Sequence, residues 1–213
     1  YDGGFSYWPR YDGEVNWWSS VFASHFLVEA QKKGLDVNEK VLDKALDYLV
    51  RRTANRETYS YVTYDGSRRI QKTIANKSAI YSLYVLALAG RPEISFMNYY
   101  RARPQLLSGD SRYLLAGAYA LSKDWAAFND LVPSSYATER TDRLTGGSFD
   151  SEIRSNAIML NVLLDVNPDH PQVPLIIDFL SKNIDRAWST QDRVWTFLAM
   201  GKAAKRASDS EVK

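Results

Sequence analysis

The sequence contains no cysteine. Disulfides, thiolate zinc sites and a cysteine nucleophile are therefore excluded from this chain. No apolar run reaches the roughly 18 residues that a membrane-spanning helix needs, so no span is expected. Charge of neither sign dominates: 27 Lys and Arg face 25 Asp and Glu, a net charge of +2. That balance gives no strong field toward nucleic acid or a membrane surface, and neither is expected as a partner. The basic pairs Arg51-Arg52 and Arg68-Arg69 are short and read as solvated surface. An initiating methionine is missing as well. The chain begins at Tyr1 with no signal peptide in front of it, which predicts a piece of a longer protein.

What is present is a globular composition, 45% hydrophobic and 24% charged. A chain of 213 residues fits one domain, expected to cover residues 1–213, with a substantial core. Aromatics are plentiful, with 14 Tyr, 8 Phe and 6 Trp. Rings of that size carry much of any core, so most of them read as packing.

The organising stretch is Tyr1–Ala30. A Gly-rich aromatic loop, Asp2-Gly3-Gly4-Phe5-Ser6-Tyr7-Trp8-Pro9, precedes Trp17-Trp18 and a helix apolar on most sides. The unit returns in weaker form. Gly146-Gly147-Ser148-Phe149-Asp150 leads into Ile153–Val166, and Trp188-Ser189-Thr190-Gln191-Asp192 leads into Val194–Ala204. Such recurrence predicts stacked helical hairpins.

Helix signals follow in order. Trp17–Lys33 is expected between an Asn16 cap and a Gly34 stop. Asn38–Arg52 has one apolar stripe, Val41, Leu42, Ala45, Leu46 and Leu49, with Asp36 and Glu39 at capping-box spacing. Thr53–Thr73 is a long polar link. Its alternating Tyr59, Tyr61 and Tyr64 before Asp65-Gly66 fit a short hairpin arm; a link this long is either functional or an insertion, and the insertion is the preferred reading. Ala75–Ala89 is apolar all round, and Glu93–Arg103 is short and one-sided. Arg112–Leu121 is again apolar all round, and Ser122 is expected to cap a short helix to Leu131. After a second link, Pro133–Asp150, come Glu152–Val166, an outer helix capped by Asp169 and Gln172 to about Asn183, and a last helix capped by Ser189 with Asp192 in its first turn. Helices apolar all round thus alternate with one-sided ones, which predicts two concentric layers. Five inner helices are counted, starting near Trp17, Ala75, Arg112, Glu152 and Gln191.

Few residues offer chemistry. His25 lies near a helical apolar stripe and reads as a hydrogen-bonded packing residue rather than a base. Asp12, Glu14, Asp150, Glu152 and Asp192 sit near inner-helix starts. Glycan chemistry needs two carboxylates about 5–10 Å apart across a cleft, but helix starts attract carboxylates for local reasons. Capping is therefore the reading taken, and no catalytic or metal-ligating set is assigned. Trp8, Trp17 and Trp18 are the weak candidates for ligand binding, as sugar platforms, with packing the competing role. No cofactor is expected.

Two stretches carry a family resemblance. One is the Gly-Gly-Phe loop followed by Leu42-Asp43-Lys44-Ala45-Leu46-Asp47-Tyr48-Leu49. The other is Trp188-Ser189-Thr190-Gln191-Asp192-Arg193-Val194-Trp195, with Tyr84-Val85-Leu86-Ala87-Leu88-Ala89-Gly90 between them. Together they resemble the thioester-domain region of bacterial alpha-2-macroglobulin family proteins. The resemblance implies an all-α fold, an α/α toroid (a barrel of helical hairpins) with six inner helices, of which this chain holds about five. It places a Gly-Cys-x-Glu-Gln thioester upstream. Without Cys, this chain does not supply that bond: either it starts after the motif or its parent belongs to the branch that lacks it. The implied role is a structural and interaction domain of a periplasmic or envelope-anchored protease trap, whose partners are other domains of its own parent chain and target proteases. The competing readings are an α/α-toroid carbohydrate-active enzyme or glycan-binding domain and, last, an isoprenoid enzyme, whose Asp-rich or Asp, Cys and His motifs are not visible. The five-helix count predicts an open toroid. Val21, Phe22 and Phe26 at one end would face Val194, Trp195 and Leu198 at the other across a gap.

Overall fold

The computed structural model describes residues 2–7, 14–143 and 149–211, with residues 210 and 211 described as backbone only. Helices alternate along it: α1 (Trp17–Lys32), α2 (Glu39–Ala54), α3 (Lys77–Leu88), α4 (Ile94–Arg101), α5 (Gly109–Leu121), α6 (Trp125–Leu131), α7 (Glu152–Val166), α8 (Gln172–Asn183) and α9 (Thr190–Glu211). The all-α, toroid-like expectation holds. Helices α1, α3, α5, α7 and α9 form the inner layer, each packed on the next in that order, while α2, α4, α6 and α8 lie outside them.

Caps explain where the helices start, and three differ from expectation. The Asn16 side chain accepts from the Ser19 N–H at 2.8 Å and opens α1 as foreseen. Helix α2 is capped by Asn38, not Asp36: its side chain accepts from the Val41 N–H at 3.2 Å. Helix α6 is capped by Asp124 rather than Ser122, through the Ala127 N–H at 2.9 Å. Ser122 instead back-bonds to Ala118 O within α5. Helix α8 has no side-chain cap; Asp169 pairs with Arg206 of α9 instead. On α2 the dry face is Leu42, Ala45, Leu46, Tyr48 and Leu49, and Val41 lies exposed beside it.

The core lies between the inner helices. All twelve residues of α3 are buried, including Lys77, Ser78 and Ser82 at its polar positions. Gly117 marks how tightly α5 is held. A Cβ there would lie 2.5 Å from Val162 of α7 and 2.9 Å from Tyr84 of α3, so no larger residue fits between the three helices. The Gly-rich loop is pinned from the other side. Gly3 adopts φ +96° against the Lys44 carbonyl, and Phe5 is held by the Ser20 hydroxyl at 2.8 Å and the Asn16 N–H at 3.2 Å.

The first long link is folded. Strands β1 (Thr58–Asp65) and β2 (Arg68–Ala75) pair antiparallel from Thr58 opposite Ala75 to Asp65 opposite Arg68. The alternating tyrosines are therefore a hairpin arm, as their spacing suggested. The second link crosses it. Tyr64 donates its N–H to Arg140 O at 3.1 Å, and Thr63 bridges Thr141.

This layering makes a direct prediction. Ala87 is buried in α3, whereas the Asp43 side chain is 71% exposed and makes only a 3.9 Å pair with Arg91. Ala87→Asp should destabilise the chain by several kcal/mol and Asp43→Ala by no more than about 0.5 kcal/mol. Comparable drops in thermal melts would refute the two-layer assignment.

Candidate functional site

The first turns of three inner helices meet over a cluster of buried charge. Lys77 opens α3, Asp110 sits in the first turn of α5, and Asp150 with Arg154 straddles the start of α7. The Lys77 ammonium lies 3.2 Å from both Asp110 Oδ2 and Asp150 Oδ1. Arg154 Nη1 donates to Asp150 Oδ1 at 3.0 Å. All four side chains are at most 2% exposed. Aromatic rings roof the cluster. Arg154 lies 4.0 Å over the Trp18 ring and Lys77 4.9 Å over Tyr61. The hairpin supplies the lid: Tyr59 donates to Asp150 Oδ2 at 3.3 Å, and Tyr61 donates to Glu139 Oε2 at 3.2 Å. Glu139 in turn accepts the Gly109 N–H at 2.6 Å and pairs with Lys72 at 2.7 Å.

Burial works against the Lys77 charge, but Asp110 and Asp150 outweigh it, so the ammonium is held above its ordinary pKa. Burial, reinforced by the neighbouring carboxylates, pushes the Tyr59 and Tyr61 hydroxyls well up, and they act as donors only. Two positive and two negative charges thus cancel out of reach of solvent. Both carboxylates are engaged by Lys77 and held away from solvent. The cluster positions helices. Removing one partner leaves an uncompensated buried charge, so Lys77→Met should cost about 3–5 kcal/mol. Pairing it with Asp110→Leu should cost less than the two single losses added together. Additive losses in urea unfolding would show that the two groups do not act as a pair.

The residues singled out from sequence are scattered. Trp8, Asp12 and Gly146-Gly147-Ser148 lie outside the described residues. Trp17 and Trp18 are in the core at 6% and 3% exposure; the Trp17 indole donates to Ser82 Oγ at 3.1 Å, and neither offers an open face to a sugar. Glu14 is exposed. Asp192 and Ser189 form a reciprocal cap on α9 at 2.9 and 3.0 Å, and Asp192 also accepts from Ser151. Glu152 pairs with Arg186 at 3.4 Å. Asp150 is the exception to the capping reading, because its carboxylate belongs to the buried cluster. Sequence reasoning missed Lys77, Asp110 and Arg154. The available signal was a charged residue at the start of an otherwise apolar helix. Among the described residues, no three His, Asp or Glu side chains are grouped to hold a metal, and no helix is long and apolar enough to cross a membrane.

A second feature is the seam between α1 and α9, the first and last inner helices. They touch: Trp195 packs on Phe22 at 5.9 Å and on His25 at 6.1 Å between ring centres. Val21 and Trp195 are fully buried, so the expected gap is closed at its inner edge. It stays open outside. Phe26, Val194, Phe197 and Leu198 are 67, 36, 70 and 38% exposed and border an apolar cleft of about 740 Å³. Several buried polar atoms on α1 and α9 have no hydrogen-bond partner. Of nine among the described residues, five are on these two helices: Trp18 Nε1, His25 Nε2, Gln191 Oε1, Trp195 Nε1 and Thr196 Oγ1.

His25 gives the seam a pH dependence. Its Nδ1 meets the Tyr81 hydroxyl at 2.7 Å. Burial, then repulsion from Lys202, lowers its pKa to about 4 from 6.5. Between pH 6.5 and 4 the unfolded chain takes up a proton that the folded chain refuses. Stability therefore falls as pH drops through that window, by about 3 kcal/mol in all. His25→Gln should remove that part of the fall in denaturant titrations at pH 7 and 4. An equal fall in both proteins would refute the assignment.

No family model matches the chain. Over 206 residues, 93% of this chain, it is 25% identical to alpha-2-macroglobulin of Escherichia coli strain K12, and it spans only 12% of that protein's length. A crystal structure of native Escherichia coli alpha-2-macroglobulin from domain MG7 to the C-terminus superposes with a TM-score of 0.73 at 20% identity, covering 94% of this chain and 32% of that one. The trypsin-activated form of the Escherichia coli protein superposes at 0.69, also at 20% identity, covering 93% of this chain and 13% of that one. The resemblance to bacterial alpha-2-macroglobulins therefore holds along nearly the whole chain, in sequence and in fold.

Proposed function

We propose that this chain is a structural and interaction domain of a bacterial alpha-2-macroglobulin-like protease trap, acting without catalysis of its own. The observation that carries the reading is the 93% coverage at 25% identity by a relative about eight times longer. The relative solved in a trypsin-activated form supports proteases as the targets. The chain, 1–213, acts as one toroid domain within a larger polypeptide, at the cell envelope or in the periplasm. With no Cys in its sequence, it takes part in trapping through packing against the other domains of its parent and not through a thioester of its own. The full-length parent, mixed with trypsin, should suppress cleavage of a large protein substrate. Undiminished cleavage at a molar excess of the parent would overturn the proposal.

The seam is the surface on which parent-chain packing is expected. A helical hairpin laid across α1 and α9 would cover Phe26, Phe197 and Leu198. Covering a few hundred Å² of apolar surface stabilises by several kcal/mol at about 25 cal/mol per Å², and bare patches of that size find partners. The 213-residue chain should therefore melt below a version extended upstream, or dimerise through this edge. Melting and light scattering of both polypeptides decide the matter. A short form that is monomeric and as stable as the long one would refute the seam as a packing surface.

A further inference from the structure

Beside the buried cluster, on the outer rim at the starts of α7 and α9, lies a cavity of about 280 Å³ that neither the cluster nor the seam uses. Three arginines and one tryptophan dominate its wall. Arg140 is held in place because its backbone carbonyl accepts from Tyr64 N at 3.1 Å and Thr63 Oγ1 at 3.0 Å, and its guanidinium lies 5.0 Å over the Tyr64 ring. Arg143 lies 5.8 Å over the Trp188 ring. Arg186 comes from the 3₁₀ turn Ile184–Arg186 and is braced by Asn183 Oδ1 at 2.9 Å. Trp188, between that turn and the cap of α9, is 70% exposed.

The charge here is unbalanced. Glu152 is the carboxylate that answers the three guanidiniums, through a long 3.4 Å contact to Arg186 alone. Asp192 also borders the cavity, but its oxygens are taken by Ser151 and the Ser189 N–H. Among the described residues, neither Arg140 nor Arg143 pairs with a carboxylate. A concave site with surplus guanidinium selects a carboxylate or phosphate, because the planar fork of Arg matches both. A solvated indole face adds a flat apolar platform that suits the C–H face of a sugar ring. The volume is near the lower end for small-molecule pockets and holds a ring or two, not an extended peptide.

We propose that this cavity binds an anionic saccharide, its carboxylate or phosphate held by Arg143 and Arg186 and its ring lying on Trp188. The site is distinct from Trp8, Trp17 and Trp18 and does not depend on the protease-trap reading. Calorimetric titration of the 213-residue chain with trigalacturonate, glucose 6-phosphate, inorganic phosphate and maltotriose tests it. At least one of the two anionic sugars should bind, and whichever binds more tightly distinguishes carboxylate from phosphate. Maltotriose should not bind. Arg143→Gln and Arg186→Gln should each weaken binding about tenfold, and Trp188→Ala should weaken the sugar but not inorganic phosphate. These side chains are exposed, so melting temperatures should stay unchanged; Arg68→Gln, on β2, is the control that should leave binding intact. Should either glutamine variant unfold, Arg143→Lys and Arg186→Lys keep the charge, lose the fork and should still weaken binding. Failure of both anionic sugars to bind would overturn the proposal. So would inorganic phosphate binding as tightly as either sugar with Trp188→Ala without effect.

Discussion

Four charges packed out of water decide how the inner helices sit. Lys77, Asp110, Asp150 and Arg154 cancel one another only when α3, α5 and α7 stand at the same height. Sliding α5 by one turn, about 5.4 Å, would part Asp110 from Lys77 and leave both charges bare in a medium where bare charge costs several kcal/mol. Apolar packing alone is more forgiving, since leucines and alanines slide past one another with modest loss. The ionic contacts therefore set the register and the apolar surface supplies most of the stabilisation. The hairpin belongs to the same unit, because Tyr59 and Tyr61 close the cluster and residues 139–142 hold the hairpin down.

The inner layer is not uniform around its circuit. Helix α3 has neighbours on every side and is dry throughout. Helix α9 was expected to be equally apolar, yet along its body Trp195, Thr196 and Ala199 are the buried residues and much of the rest is wet. The difference is both compositional and positional: beyond Met200 the helix runs Gly201-Lys202-Ala203-Ala204-Lys205-Arg206-Ala207-Ser208-Asp209, and as an end helix of the row it lacks one neighbour. Trp195 partly makes up for this by reaching across to α1, the other end of the row.

What was legible in the sequence follows from range. The alternation of all-apolar and one-sided helices is a property of successive residues, and it led correctly to two layers. Caps were less legible, because several candidate side chains stand near each helix start and a difference of two residues separates Asp36 from Asn38 or Ser122 from Asp124. The pairing within the buried cluster was not legible. Lys77 meets Asp110 only because α3 and α5 lie side by side, and a lysine at the start of an apolar helix looks the same whether it faces water or an aspartate. Tyr59 and Tyr61 showed a strand's alternation but not the carboxylates waiting beneath.

The helix starts also account for how charge is distributed around the rim. Each helix begins with roughly half a positive charge from its unpaired N–H groups, and the inner helices bring several of these together. Carboxylates are drawn there: Asp110, Glu152 and Asp192 all occupy first turns. Asp110 is engaged by Lys77, Asp192 by the Ser189 cap and the Ser151 hydroxyl, and Glu152 reaches outward to Arg186. Arginines on the outside of the same rim face no equal supply of acid. Among the described residues, the carboxylates drawn inside leave Arg140 and Arg143 without an acidic partner outside, and Arg186 with the single long contact to Glu152.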